Sequence, residues 1–468
     1  MNRPFDFEKY IADAVDKKQT LSRLFLLFRE LQSALNPFSS CKPESTDYIA
    51  PFPRTGPGLA LDGLPKYDLA GRNPEFFQRL HRFLTATSDA GLIVEVVLFS
   101  NTYNEDIWAL NPLHHANNIN ALAPLAWCDY TTRRDPSLFA MQLEFTRMIV
   151  RELNVYENII YEVCNEPGGN IPGIEGSPTS EEVDDWISVL IAEIRSTERS
   201  LTHQHLIAGQ EAFKYQLATE EINERDVHQF SDKSFGGMDY DIVNMHPLSN
   251  MWHRGVNYDL GRFMRGSLRL RALRDYCLAM AEEAKPMNLD EDNAASRFMD
   301  PIGWTIHRKR AWTTLMSGAH YDMIDFSINR YQETGTPQSQ AHLRKWMKIL
   351  SEFIHALDLV EMKPCRATVK SAPAAVCVCT LRNQGDEGYL YLADERESDD
   401  LQAGKVIHCE LIVDLADADY ELRFFCPTEG TWSDGREFIG SPGTVLVLPP
   451  FRDDLAVSFK KRGFSAAS

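Results

Sequence analysis

Short apolar runs rich in β-branched residues alternate along this chain with longer segments of helical period, and that rhythm limits the fold more than any other feature. It is the pattern of a parallel sheet crossed over by helices. Residues 6–18 place Tyr10, Ile11, Ala14 and Val15 on one helical stripe. A strand is expected from Arg23 to Phe28. The next helix starts at Asn73-Pro74-Glu75, with Asn as cap and Pro in the first turn, and ends near Gly91. Strands follow at 92–99, 158–164, 205–209, 241–245, 286–290 and 321–326, with helices at 136–153, 180–195, 270–284, 301–317 and 340–357. That makes seven strands, where a (β/α)8 or TIM barrel has eight. The expected fold class is α/β: a TIM barrel over residues 1–363 that lacks its first strand.

The pattern changes after Lys363-Pro364. Short alternating strands separated by turns predict a small antiparallel β-sandwich over 364–468. The stretch from Asn36 to Arg72, with several Pro, Gly and Ser residues, is too long for a bare connector and reads as a functional loop over a site.

Composition narrows the partners. With 44% hydrophobic residues the chain can bury a large core. It has no apolar run near the ~20 residues that span a bilayer, so no membrane role is expected. Lys and Arg number 48 against 67 Asp and Glu, a net charge of −19, which disfavours a phosphate backbone and leaves neutral partners open. Nucleic acid is not expected. The nine cysteines are scattered and show no Cys-His spacing for zinc, so they read as buried or free thiols of a reducing compartment. Neither a cofactor nor a metal is expected. Met1 to Glu8 carries no apolar signal region, which places the chain as it stands in the cytoplasm. An export signal could have been lost together with the missing strand.

Barrel active sites form at the C-terminal ends of strands, so polar residues just after apolar runs are the candidates. One run ends in Asn165-Glu166-Pro167, and another in Asp290-Glu291-Asp292. Two carboxylates on different strands can face each other across a barrel mouth, as two-step glycoside hydrolysis requires. A metal cluster of Asp290, Glu291 and Asp292 is the competing reading, with no matching acidic or histidine cluster on another strand to complete it. The His114-His115 pair reads as a sugar contact or as plain exposure. His246, followed by Pro247, falls at a strand end near the mouth. Glu95 and Glu162 lie within strands, either paired inside the barrel or solvated outside it. Trp108, Trp127, Trp252 and Trp304, with Tyr103, fall where flat faces could stack on sugar C–H groups. Trp186, Trp312 and Trp346 fall in helical periods and read as core. Asn104, Asn117 and Asn118 suit hydroxyl recognition or turns equally.

Asn165-Glu166-Pro167 after a strand, with Glu291 at a later Lys-Pro-apolar-acidic strand end, resembles the retaining glycoside hydrolases of clan A, the cellulase-like (β/α)8 barrels. The resemblance spans roughly residues 5 to 360. It implies Glu166 as acid/base on the fourth strand of that fold and Glu291 as nucleophile on the seventh. It also implies Asn165 on the sugar 2-hydroxyl, Arg23 steadying the nucleophile, and His246 as the aromatic or histidine residue after the sixth strand. The implied substrate is a β-linked oligo- or polysaccharide. The C-terminal part resembles the small β-sandwich that often follows such barrels. An inactive carbohydrate-binding or scaffold barrel is the alternative, motivated by the missing strand.

Overall fold

The computed structural model describes residues 1–28, 47–171, 173–215, 227–261, 266–292, 301–328, 331–384 and 387–462. Seven parallel strands are found among them in chain order: β1 (Leu21–Phe25), β2 (Ile93–Ser100), β3 (Ile159–Asn165), β4 (Ile207–Gly209), β5 (Ile242–Met245), β6 (Met287–Leu289) and β7 (His320–Tyr321). Helix α1 (Phe7–Asp16) precedes β1; between the strands come α2 (Pro74–Asp89), α3 (Pro136–Leu153), α4 (Ser180–Glu198), α5 (Leu270–Met280) and α6 (Pro301–Leu315), with α7 (Lys345–His355) after the last strand. This is the α/β-barrel order read from the sequence.

The chain forms two compact units. The first comprises Met1–Met245, Trp252–Val256 and Asp325–Thr336. Its helices start where local chemistry dictates. Asn73 accepts from the Glu75 amide with Pro74 in the first turn, and Asp135 accepts from the Leu138 amide ahead of Pro136. Thr179 and Glu182 close a reciprocal capping box. Each cap satisfies amides that no helical carbonyl reaches, worth about 1 kcal/mol apiece. The helices bury Phe76, Leu80, Leu84, Ile149 and Trp186 against strand residues such as Val94, Val96 and Val163. Strand register sets the polar interior: Arg23 is opposite Glu95, Val97 opposite Glu162, and Ser100 opposite Asn165.

The second unit comprises His246–Met251, Asn257–Ile324 and Pro337–Ser468. It holds β6, β7, α5, α6 and α7 together with two antiparallel sheets. One sheet runs β8 (Val376–Arg382), β9 (Glu387–Asp394), β13 (Asp454–Lys461), β11 (Ala418–Cys426); the other contains β10 (Glu410–Val413) and β12 (Thr444–Val447). Leu390, Leu411, Leu446 and Val457 from both sheets share one apolar core. A buried bidentate pair, Arg308 Nε and Nη2 to the Asp454 carboxylate at 2.9 and 3.1 Å, ties α6 to β13, and the Tyr391 hydroxyl donates to the same carboxylate at 3.0 Å. Trp312 and Trp346 are core residues of this unit, and Trp186 of the first, as their helical spacing predicts.

Several element bounds differ from the sequence reading, among them β1 (Leu21–Phe25 instead of 23–28) and α5 (ending at Met280 instead of 284). β7 ends at Tyr321 instead of Phe326, and beyond it the Asp325 carboxylate accepts from the Ser327 amide at 3.0 Å and its hydroxyl at 2.7 Å, a local turn that competes with strand pairing. The last helix opens with a π turn, Gln340–Arg344, before α7. The eight described cysteines are unpaired and six are buried; Cys41 lies outside the described residues. No described helix is long and apolar enough to cross a membrane.

Candidate active site

In the first unit, adjacent strands carry inward side chains that form one connected polar network. Arg23 on β1 donates from Nη2 to Glu162 Oε2 on β3 at 2.5 Å and to Asn165 Oδ1 at 3.2 Å. Its Nε lies 3.6 Å from Glu95 Oε1, and that oxygen accepts from Asn244 Nδ2 on β5 at 2.5 Å. The Arg23, Glu95 and Glu162 side chains are only 6%, 2% and 2% exposed, so these charges interact with little screening by water. Glu95 and Glu162 are thus the paired, inward groups of the two alternatives.

The network continues to the strand end. Asn165 Nδ2 donates to the Tyr103 hydroxyl at 3.1 Å, and that hydroxyl donates to Glu166 Oε2 at 2.5 Å. Asn101 braces the same corner by donating from Nδ2 to the Glu166 carbonyl at 3.1 Å and accepting from the Tyr103 amide at 3.0 Å. Glu166 and Tyr103 are half-buried and both adopt left-handed backbone, with φ of 48° and 57°. This conformation costs a non-glycine residue about 1–3 kcal/mol and concentrates at functional sites.

The second unit contains a comparable strand end. Glu291, two residues beyond β6, also has φ of 48° and is half-buried. Its neighbours are fully buried, not solvated, and point to separate partners. His246 Nε2 lies 3.0 Å from Asp290 Oδ2, whereas Asp292 Oδ2 accepts from Arg310 Nε at 2.7 Å and the Tyr321 hydroxyl at 3.3 Å. Asp290 and Asp292 therefore pair with His246 and Arg310 beside the strand end.

The aromatic candidates separate by burial. Trp108, expected at a sugar subsite, has no exposed surface and packs at 5.0 Å from the Tyr130 ring and 5.3 Å from His114; a ring enclosed on all sides cannot stack on a ligand. Trp304 is likewise buried, in α6. Trp127 and Trp252 are half-buried. Trp252 stacks on Phe230 at 6.1 Å and donates from Nε1 to His228 Nδ1 at 3.0 Å. Asn104, Asn117 and Asn118 take the turn role: Asn104 caps the short helix Glu105–Trp108, and the amides of the other two donate to backbone carbonyls of residues 109–114. His114 is buried, and burial, then His115, pushes its pKa down to about 4, so it is neutral at pH 7. Of the long 36–72 stretch, 36–46 lies outside the described residues, and the rest includes a hairpin of Arg54–Leu59 with Pro65–Tyr67.

The sequence reading missed the Tyr103 hydroxyl, whose only signal is the polar Ser100-Asn101-Thr102-Tyr103 run closing β2. It also missed Glu211, two residues past β4. This carboxylate accepts from the Ser234 amide at 2.8 Å and hydroxyl at 3.2 Å, and burial lifts its pKa to about 7. Raised above its ordinary value of 4.5, it favours folding most below pH 4.5 and loses that contribution as pH rises through 7. Glu211→Gln, which keeps the acceptor oxygen, is expected to exceed wild type by about 3 kcal/mol at pH 8 and to match it near pH 4. Urea midpoints at the two pH values check this, and a gap that does not change with pH refutes it.

Comparisons with known proteins bear on the fold. No curated protein sequence matches the chain. A family model described as "Domain of unknown function (DUF6298)" matches residues 45–149. A solved glycoside hydrolase family 5 structure from Bacteroides vulgatus ATCC 8482 is similar with a TM-score of 0.59, covering 99% of this chain and 86% of that one at 10% identity. A second, described as "Glycoside hydrolase", has a TM-score of 0.56, covers 98% and 89%, and is 11% identical. At such identity the likeness establishes a fold of the glycoside hydrolase barrel type.

Proposed function

We propose that this chain is a retaining glycoside hydrolase acting on β-linked saccharides by double displacement. Glu291 attacks the anomeric carbon while Glu166 protonates the leaving oxygen; Glu166 then takes a proton from the water that releases the sugar. The observation that carries this reading is the Glu166 carboxylate itself, held on left-handed backbone at a strand end by the Tyr103 hydroxyl, which Asn165 orients in turn. Asn165 serves the sugar 2-hydroxyl, Arg23 and His246 support the strand ends, and Trp127 and Trp252 offer their partly exposed faces to sugar rings. The C-terminal sheets form a β-sandwich domain from residue 364.

The test uses 2-deoxy-2-fluoro aryl β-glycosides, which trap the glycosyl-enzyme, with peptide mapping by mass spectrometry. A label on Glu291 and a first product of retained anomeric configuration are expected. An inverted product would overturn the mechanism. A panel of aryl β-glycosides and plant and microbial polysaccharides identifies the sugar; saturable binding with no turnover anywhere in that panel would replace the enzyme with a binding barrel.

Tyr103→Phe removes one charge-assisted hydrogen bond, worth about 1.5–3 kcal/mol. The expected outcome is a fall in kcat/KM of about tenfold or more, measured on an aryl glycoside, with the melting temperature lowered by only a few degrees. Wild-type kinetics would exclude a role for the hydroxyl at Glu166.

A further inference from the structure

A cavity of about 320 Å³ opens within the second unit, on the flank of α5 and β8, and neither strand-end carboxylate lines it. Its wall carries four cations, Arg271, Arg274, Arg366 and Lys370, and no acidic residue, in a chain whose acidic residues outnumber its basic ones 67 to 48. Two of the guanidinium groups are fixed in place. Arg271 Nη2 donates to the Ala374 and Val376 carbonyls at 2.7 and 3.0 Å, and Arg274 Nη1 donates to the Val378 carbonyl at 3.1 Å. The other two are held loosely. Arg366 and Lys370 lie 3.5 and 3.2 Å from Asp275 and Asp414 with side chains 60% and 51% exposed. Exposed pairs of this kind contribute at most about 1 kcal/mol, so both cations can turn to a ligand at little cost. All the carboxylates that pair with these cations, Glu395 on Arg271 included, stand off the cavity wall.

We propose that this cavity binds a monosaccharide-sized molecule bearing one oxyanion group, a carboxylate or a phosphate. Guanidinium forks match such groups in two parallel hydrogen bonds. A volume of about 320 Å³ holds roughly ten waters at about 30 Å³ each, which is more room than a bare ion fills and within the range of small-ligand sites. The inference does not depend on the hydrolase reading, because its readout is binding.

Isothermal titration of the full chain with D-glucuronate, glucose 6-phosphate, glucose and inorganic phosphate tests it, and the two anionic sugars distinguish the carboxylate from the phosphate source. At least one anionic sugar is expected to bind saturably, glucose not at all, and inorganic phosphate more weakly, with affinity falling as salt is raised. The double variant Arg366→Ala/Lys370→Ala, changed at exposed positions outside the strand-end site, is expected to lose about tenfold or more in affinity while its hydrolysis of aryl glycosides is unchanged. Cys365, on the cavity wall and half-buried, supplies a second readout: the bound sugar should slow its alkylation by iodoacetamide. Equal binding of glucose, inorganic phosphate binding as tightly as the anionic sugars, an unchanged affinity in the double variant, or alkylation indifferent to saturating ligand would each overturn the proposal.

Discussion

Glu166→Gln and Glu291→Gln are each expected to lower turnover by about 10³-fold or more, and the two losses should carry different signatures. Positioned proton transfer contributes about 10²–10⁴-fold, and losing the nucleophile removes the covalent route altogether. With a dinitrophenyl glycoside, whose leaving group needs no proton, Glu166→Gln should still form the glycosyl-enzyme and release one burst of phenolate before stalling. Added azide, which needs no general base, should restore turnover and give the β-glycosyl azide. Glu291→Gln should show no burst, and in Glu291→Ala, whose truncation opens the space, azide should attack the substrate directly to give the α-glycosyl azide. Glutamine keeps the size and acceptor oxygen of each side chain, so folding is preserved. Either variant working at the wild-type rate would dismiss the assignment of that residue.

The largest stability effect is expected at Arg23. Its guanidinium is the cation beside two carboxylates that are each 2% exposed, at 2.5 Å from Glu162 and 3.6 Å from Glu95. Arg23→Met would leave uncompensated buried charge, and breaking such a pair costs about 3–5 kcal/mol. The companion Arg23→Met/Glu162→Gln removes one of the stranded charges and should recover a large part of that loss. Urea denaturation of the three proteins measures it. If Arg23→Met unfolds at the wild-type midpoint, the network is not what holds β1 to β3. Activity should fall in both variants, because Asn165 loses the donor at 3.2 Å that sets its side-chain amide.

Elements whose signals are local were readable from the sequence. Asn73-Pro74 and Asp135-Pro136 mark helix starts through their caps, and α3 spans Pro136–Leu153 as its apolar period predicts. Glu166 and Glu291 at strand ends followed from barrel rhythm. What escaped depends on contacts distant in sequence. Nothing around Trp108 distinguishes a ring under a loop from one enclosed by Tyr130 and His114. Tyr103 reads as another aromatic until Asn165 and Glu166, more than sixty residues on, are brought to its hydroxyl. The strand Val227–Phe230 follows an irregular stretch without periodicity, and the turn at Asp325 is set by a side chain competing for the backbone. The four cations of the second-unit cavity come from α5 and the segment after residue 363, so no window of sequence contains them.

The left-handed backbone shared by Glu166 and Glu291 bears on how an inert form of this protein is best made. Glycine adopts that geometry freely, so replacing either glutamate with glycine should abolish turnover while the released backbone strain offsets the lost side-chain contacts. A sugar complex would then be captured in glycine variants that fold about as well as the parent chain. At these two positions the chain carries a carboxylate where glycine would fit the backbone without strain.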